Sequence, residues 1–167
     1  IKENGWAAVS IRAVASRCSV SAGTIYNYYE SKADLLSDTI ESIWHEIFFH
    51  PEDEQVFHDV ESCISWIYER LEYGNRQFPG FFSLHSFGFM RDEKTSGKKR
   101  MMKTWGHILN GLCEVLGNDP KVRADVFDQE FTEKKFADIL FSLILVSMIR
   151  QDYDPSSVLM LVKKTLY

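Results

Sequence analysis

The sequence has little cysteine, and the three that occur show no paired spacing. Cys18, Cys63 and Cys113 are an odd number in 167 residues, which matches neither a disulfide framework nor a zinc motif. Each lies in an apolar helical pattern, so we interpret each as a small buried side chain. We therefore predict no metal and no cofactor, and the cysteine usage fits a reducing cytoplasm.

Long hydrophobic runs are also missing. The longest strongly apolar run, Ile139–Ile149, is about half of the ~20 residues that a bilayer span needs, and it contains two serines. No signal peptide is visible. We expect a cytoplasmic chain with no membrane partner, and 45% hydrophobic and 14% aromatic residues are enough for a substantial core.

The patterns of strands and of common catalytic sites are absent as well. No segment alternates apolar and polar residues as a half-buried strand does. There is no glycine-rich phosphate loop and no G-x-S-x-G sequence, and no two of the five histidines stand four residues apart. We predict an all-α chain that is not an enzyme.

A net positive charge is lacking, but the charge is unevenly distributed. The net charge is −5, whereas residues 1–32 hold four basic and two acidic side chains, a balance of +2. The remainder therefore carries −7. This asymmetry is typical of a small nucleic-acid-binding head on an acidic body, because nonspecific attraction comes from the contacting face alone.

The most informative stretch present is Ser10–Leu36, which has the pattern of a helix-turn-helix. Ser10 can cap a first helix whose apolar stripe includes Cys18. A three-residue turn follows, and Ser21 caps a second helix in which only Ile25 is strongly apolar. A two-turn helix with hydroxyls, an amide and aromatic rings on its open face is a poor core element and suits a recognition helix in a major groove.

This stretch resembles the DNA-binding signature of the TetR (tetracycline-repressor-type) transcriptional regulators. The resemblance covers about 31 residues without a gap, and Ser19 departs from it where the family usually has glycine. It implies a first helix before Gly5, most of which would lie upstream of Ile1. The matching residues are Gly5-Trp6, Ser10-Ile11, Val14-Ala15, Val20-Ser21, Gly23-Thr24-Ile25-Tyr26, Tyr28-Tyr29, Ser31-Lys32 and Leu35.

From the resemblance and the residue chemistry we predict which residues contact DNA. Hydroxyls and helix-start N–H groups would bind phosphate or place the second helix, glycine would allow close approach, and an asparagine and a tyrosine would reach base edges. A second tyrosine and a lysine would meet phosphates. The predicted set is Ser10, Ser21, Ala22, Gly23, Thr24, Tyr26, Asn27, Tyr28 and Lys32.

The helix that follows is predicted to join two domains. Ser31–Asp34 is a capping-box pattern that opens a helix over residues 32–49, and Pro51 closes it. We assign residues 1–49 to the DNA-binding head with its connecting helix, and residues 50–167 to a helical effector-binding and dimerisation domain. Further helices are predicted over residues 57–76, 98–116 and 132–150, the last of them capped by Thr132. Two more are predicted from Pro79 onward and from Pro155 onward, the second with Asp154 as its cap.

Two functional surfaces are predicted in the second domain. Its aromatic residues exceed the needs of a small core, and apolar pockets bind small ligands, although such a stripe can also be core. The predicted pocket is Trp66, Tyr73, Phe81, Phe82, His85, Phe89, Met102, Trp105 and Leu109. The C-terminal helices resemble the family's dimer interface, the alternative being a monomer core. The predicted interface is Phe136, Ile139, Leu140, Leu143, Ile144, Ser147, Met148, Val158, Leu159 and Val162.

Together these features predict a sequence-specific transcriptional regulator. The resemblance implies a homodimeric, ligand-responsive repressor that binds double-stranded DNA at a palindromic operator and responds to a small apolar or aromatic effector. The alternative is a TetR-like chain whose main partner is another protein. A solidly packed body without a cavity would favour that alternative.

Overall fold

The structure, a computed structural model, describes residues 8–49, 57–82 and 96–167, and of residues 96–104 it describes the backbone alone. In these ranges the chain forms helices and no strand, which confirms the predicted all-α class with its helix-turn-helix head. The helices are α1 (Ile11–Arg17), α2 (Ala22–Tyr26), α3 (Lys32–Phe48), α4 (Val60–Gln77), α5 (Ser96–Asn118), α6 (Glu133–Arg150) and α7 (Ser156–Leu166).

Local capping fixes where most of these helices begin. Ser10, Ser21, Ser31 and Thr132 each accept a hydrogen bond from the backbone N–H three residues further on, at 3.1 to 3.3 Å. Asp154 accepts from the first N–H of α7 at 2.9 Å. A helix start has N–H groups without intrahelical partners, so these side chains satisfy them and fix the boundary. The caps predicted at Ser10, Ser21, Ser31 and Thr132 are confirmed. The predicted start of α7 is wrong by one residue, because the helix begins at Ser156 and Pro155, not Asp154, is its N-cap.

The turn between α1 and α2 shows how the head accommodates a serine in place of glycine. Ser19 adopts φ +56°, in the left-handed region that glycine enters more readily than other residues. Because α1 ends at Arg17, Cys18 becomes its exposed C-cap, so the prediction that Cys18 is buried is wrong. Cys63 is buried and Cys113 is half-buried.

Two hydrophobic clusters hold the chain together, and α3 contributes to both. Ile11, Ala15, Ile25 and Leu35 form the head cluster. Ile47, at the other end of α3, is fully buried in the body cluster. Since seventeen residues of helix span about 25 Å, α3 connects head and body as one continuous element.

The body cluster is built from α3, α4, α5, α6 and α7. Helix α4 packs on α3, α5 and α7, and α5 also packs on α3 and α6. The inner face of α6 is a stripe of four side chains spaced four residues apart, Phe136, Leu140, Ile144 and Met148, all buried. Helix α6 therefore directs these side chains into its own protomer.

A buried carboxylate joins three distant parts of the body. Asp119 is 5% exposed and accepts hydrogen bonds from Val60 N–H at 2.9 Å, from Lys121 N–H at 2.9 Å and from the Tyr167 hydroxyl at 2.5 Å. These contacts tie the start of α4 and the end of α7 to the end of α5. A buried charge is tolerated only with such partners.

The predicted helix start at Pro79 is not found in the part of the chain that the structure describes. Residues 79–82 form a turn in which Phe81 and Phe82 are buried. The rest of that predicted helix lies outside the described residues.

Candidate DNA-contacting head and body cavity

Helix α2 presents its polar and aromatic face to solvent. Tyr28 is 80% exposed and Tyr26 is 53% exposed, and Asn27, the C-cap of α2, is also exposed. Ile25 is buried in the head cluster, and Tyr29 is half-buried against it. Of the side chains predicted to contact DNA, Tyr26, Asn27 and Tyr28 are therefore left uncovered by the head.

Two hydroxyls at the start of α2 are arranged as a pair. Ser21 Oγ and Thr24 Oγ1 lie 2.9 Å apart, and Ser21 Oγ also accepts from Thr24 N–H at 3.1 Å. Whichever hydroxyl donates within the pair, the other keeps its proton for an outside acceptor. The pair can thus cap the helix and still donate to an anion.

No packing contact within the described part of the head requires glycine at position 23. Among the described residues, a Cβ built on Gly23 would meet only Ser21 Oγ, at an ordinary 3.6 Å, and Gly23 is exposed. The nearby predicted contacts Ser10 and Ala22 are half-buried and Lys32 is exposed. The part of the head near Gly23 is therefore free of side-chain bulk.

The body end of α3 is held by a cation. Arg70, on α4, donates from Nε to the Ile47 carbonyl at 2.5 Å and from Nη2 to the Glu46 carbonyl at 3.3 Å. Its guanidinium lies 4.4 Å from the centroid of the Tyr73 ring. A cation at the carbonyl end of a helix is favoured by the helix dipole, so Arg70 clamps α3 to the body.

The same end of α3 packs unusually closely on α4. A Cβ at Gly74 would lie 2.6 Å from Ile47 Cδ1 and 3.1 Å from both Ile47 Cγ1 and Phe82 Cε2. Such distances leave no room for a side chain. The glycine allows the two helices to approach at Ile47.

Beside this contact the body contains a cavity of about 460 Å³. Helices α3, α4, α5 and α6 surround it, and its wall is mostly aromatic and aliphatic. The side chains from α3 are Trp44 and Phe48, whose rings stack with centroids 5.4 Å apart. The other lining residues are Phe57, Cys63, Trp66, Ile67, Leu71, Trp105, His107, Ile108, Gly111, Leu112, Glu114, Val115, Asn118, Phe141, Ile144, Leu145 and Met148.

Of the predicted pocket residues, Trp66 and Trp105 line this cavity. Phe81 and Phe82 are buried in the core, where both rings contact Trp44 at centroid distances of 5.7 Å. The other two described members do not line the cavity. The Tyr73 ring contacts the Arg70 guanidinium, and Leu109 packs on the body cluster. His85 and Phe89, and the Met102 side chain, lie outside the described residues.

The lining residues that sequence reasoning missed come mainly from four helices distant in sequence. Trp44 and Phe48 stand four residues apart on α3, a helical spacing that by itself indicates packing as readily as a ligand site. An aromatic pair at the body end of the connecting helix was the available signal. Burial raises the pKa of the Cys63 thiol to about 12, so this part of the wall is uncharged at neutral pH.

Most residues of the predicted dimer interface are covered within the protomer. Phe136, Leu140, Ile144, Met148, Val158 and Val162 are buried, which leaves little surface for a partner. Ser147 is hydrogen-bonded to the Tyr68 hydroxyl at 2.8 Å. Leu143 and Leu159 are half-buried against the body cluster, and Ile139 is 44% exposed.

The C-terminal helices expose a different set of apolar side chains. Half of the ten exposed large hydrophobic residues of the described chain lie on α6 and α7. On α6 they recur after seven and three residues, a helical spacing that places them on one side. We call this set the C-terminal apolar set: Ile139, Val146, Ile149, Met160 and Leu161.

Among the described residues, no group of three or more His, Cys, Asp or Glu side chains is placed to hold a metal ion. None of the described helices is long and apolar enough to cross a membrane.

Comparison with known proteins identifies the head. Residues 1–39 match the family described as "Bacterial regulatory proteins, tetR family". Comparisons with curated proteins and with solved structures found no match. The matched segment covers α1, α2 and the start of α3, which include the exposed face of α2. Through this segment the chain carries a DNA-binding domain similar to that of the tetR family of bacterial regulatory proteins, which supports a DNA-binding transcriptional regulator.

Proposed function

We propose that this regulator is a ligand-responsive repressor that binds a palindromic operator as a homodimer. The observation that carries the proposal is the double role of α3. Its first residues pack in the head cluster, and Trp44 and Phe48 near its end line the body cavity. Residues 1–49 act as the DNA-binding head with its connecting helix, and residues 50–167 as the effector-binding and dimerisation domain.

In the head, α2 enters the major groove. Asn27 and Tyr28 read base edges, because an asparagine amide pairs with adenine and a tyrosine ring can touch a thymine methyl. Their exposure at the end of α2 supports this assignment. The remaining predicted residues position the helix on the phosphates: Ser10, Ser21, Ala22, Gly23, Thr24, Tyr26 and Lys32.

The homodimer forms through the C-terminal apolar set. Exposed apolar side chains grouped on two helices mark an interaction surface, and a two-fold interface uses the same patch on both chains. The two α2 helices then contact successive major grooves about 34–36 Å apart.

The ligand acts through α3. A compound in the cavity contacts Trp44 and Phe48, on the helix whose end is held by Arg70 and packed at Gly74. A ligand changes operator binding only if it prefers one head spacing over the other. We propose that it prefers the spacing that does not fit DNA, so that it releases the operator.

The alternative is a protein partner in place of a small molecule. A solidly packed body would have favoured it. The cavity of about 460 Å³ instead supports a small-molecule effector, since ligand pockets commonly measure ~300–1,000 Å³.

The division of roles in the head is tested by two substitutions. Asn27→Ala should weaken the preferred operator by about 1–3 kcal/mol and relax preference at one base position in each half-site. Lys32→Ala should weaken all sequences alike and lower the slope of log affinity against log salt by about one per protomer. Titrations of operator and of scrambled DNA at several salt concentrations measure both effects.

Ser42→Ala is the matched control, since Ser42 is exposed on α3 beyond the head. It should bind every DNA like the unmodified protein. Identical behaviour of the Asn27 and Lys32 variants across sequences would contradict the assigned roles.

A further inference from the structure

Two donors in the cavity wall have no acceptor. The indole Nε1 atoms of Trp44 and Trp105 are buried, and neither has a hydrogen-bond partner within the described chain. Both rings line the cavity, one from α3 and the other from α5. A third buried polar atom without a partner, the Tyr153 hydroxyl, belongs to a residue that does not line it.

An unpartnered buried donor in a folded protein calls for a physical explanation. The indole N–H can donate and cannot accept. Trp44 is 7% exposed and its ring is held between Phe48 and the buried rings of Phe81 and Phe82. Bulk water therefore does not satisfy this group, and the complementary partner is an acceptor atom that enters the cavity.

The rest of the wall limits what such an acceptor can belong to. Its surface is mostly aromatic and aliphatic, which favours a mainly apolar molecule. The Glu114 carboxylate is the one carboxylate among the described lining residues, and the described lining holds no lysine or arginine. An anionic ligand would therefore meet a like charge, with no lysine or arginine of the described lining to compensate it.

We propose that the cavity binds an uncharged, mainly apolar compound with a hydrogen-bond acceptor oxygen, such as an aryl ketone, held by the N–H groups of Trp44 and Trp105. This rests on the proposed function of the cavity as the effector site. An acceptor on Trp44 would bond directly to α3, so the polar contact would also be the one that acts on the connecting helix.

The test compares two compounds of one skeleton, 9-fluorenone and fluorene, which differ in a carbonyl oxygen. Their affinities for the full chain are measured by calorimetry with the unmodified protein and with Trp44→Phe, Trp105→Phe and the double variant. Phenylalanine keeps an aromatic ring and removes the donor. The readout is the ratio of the two dissociation constants. A substitution that alters apolar contact with the shared skeleton changes both constants alike, so the ratio reports the carbonyl oxygen alone.

The preference for fluorenone over fluorene should fall by roughly five- to tenfold in the double variant, the size of one neutral hydrogen bond, and by less in each single variant. Trp66→Phe is the control. It removes a third indole from the same wall, but its nitrogen is not among the buried unpartnered atoms, so the ratio should stay unchanged. Thermal melting checks that each variant is folded.

Two results would overturn the proposal, and they differ in whether the cavity's proposed role as the effector site fails as well. If both compounds bind and their ratio is the same in all variants, the acceptor preference fails while the cavity remains a ligand site. If neither compound binds the unmodified protein at its solubility limit, the acceptor preference fails together with its premise, the cavity's proposed role.

Discussion

Replacing Val146 with lysine is expected to convert the protein to a monomer and to lower its operator affinity by at least about a hundredfold. Val146 is 46% exposed at the centre of the α6 part of the C-terminal apolar set. In a two-fold interface both chains carry the substitution, so two lysine ammonium groups would be desolvated next to an apolar surface, which is unfavourable. A monomer binds one half-site and loses the gain in affinity that comes from linking two binding events, a factor of ~10²–10⁴.

Sedimentation velocity measures the mass of the variant, and titration of the operator measures its affinity. Phe49→Lys is the control, because Phe49 is 61% exposed but lies at the end of α3, outside the set. It should stay dimeric. The added lysine is positively charged in both variants and is attracted to the DNA phosphates. Charge repulsion therefore cannot explain a loss of operator affinity. A dimeric Val146 variant with unchanged operator affinity would exclude this surface as the interface.

The second large effect is expected at the contact between α3 and α4. Gly74→Val should lower the free energy of unfolding by about 3 kcal/mol, because its Cβ alone would lie 2.6 Å from Ile47 Cδ1. Ile47 is fully buried and cannot move into solvent. In a chain of this size the loss corresponds to a melting temperature lower by roughly 6–12 °C at equal protein concentration.

Gly106→Val provides the matched comparison, since a Cβ at Gly106 would meet no atom of the described residues within 4 Å. Both glycines are helical, and the Gly106 variant should stay within about 0.5 kcal/mol of the unmodified protein. Calorimetric melting of both variants measures the difference. Melting temperatures within about 2 °C of each other would show that the close approach at Ile47 does not limit side-chain size.

The parts of the fold that sequence predicted well are those set by local chemistry. Ser10, Ser21, Ser31 and Thr132 cap helices because each needs only the backbone N–H three residues on, a contact that does not depend on the rest of the fold. The inward position of Ile25 followed in the same way, since the short second helix offers no other strongly apolar side chain.

The inner face of α6 could not be predicted, because the run from Ile139 to Ile149 is apolar on nearly every side. Such a helix carries no pattern that distinguishes core from surface. The structure turns Ile144 and Met148 inward and leaves Val146 and Ile149 exposed. The predicted interface therefore consists mostly of side chains that the structure buries within the protomer.

The cavity was only partly predictable for a related reason. Local aromatic density pointed to the segment containing Phe81 and Phe82, whose rings fill the core against Trp44. A cavity depends on which helices meet, and its wall combines α3 and α6, about a hundred residues apart in sequence. Trp66 and Trp105 were found because they are large apolar residues on the two helices in between.

The central claim, that paired heads read a two-fold symmetric DNA site, is tested most directly by selecting operators from random-sequence duplexes at low salt with the unmodified protein. We expect enrichment of a palindrome whose half-site centres lie about 10–10.5 base pairs apart, or a multiple of that spacing, and that places the two α2 helices in major grooves on one side of the duplex. Retention of no sequence, or only of sequences without two-fold symmetry, would contradict the account.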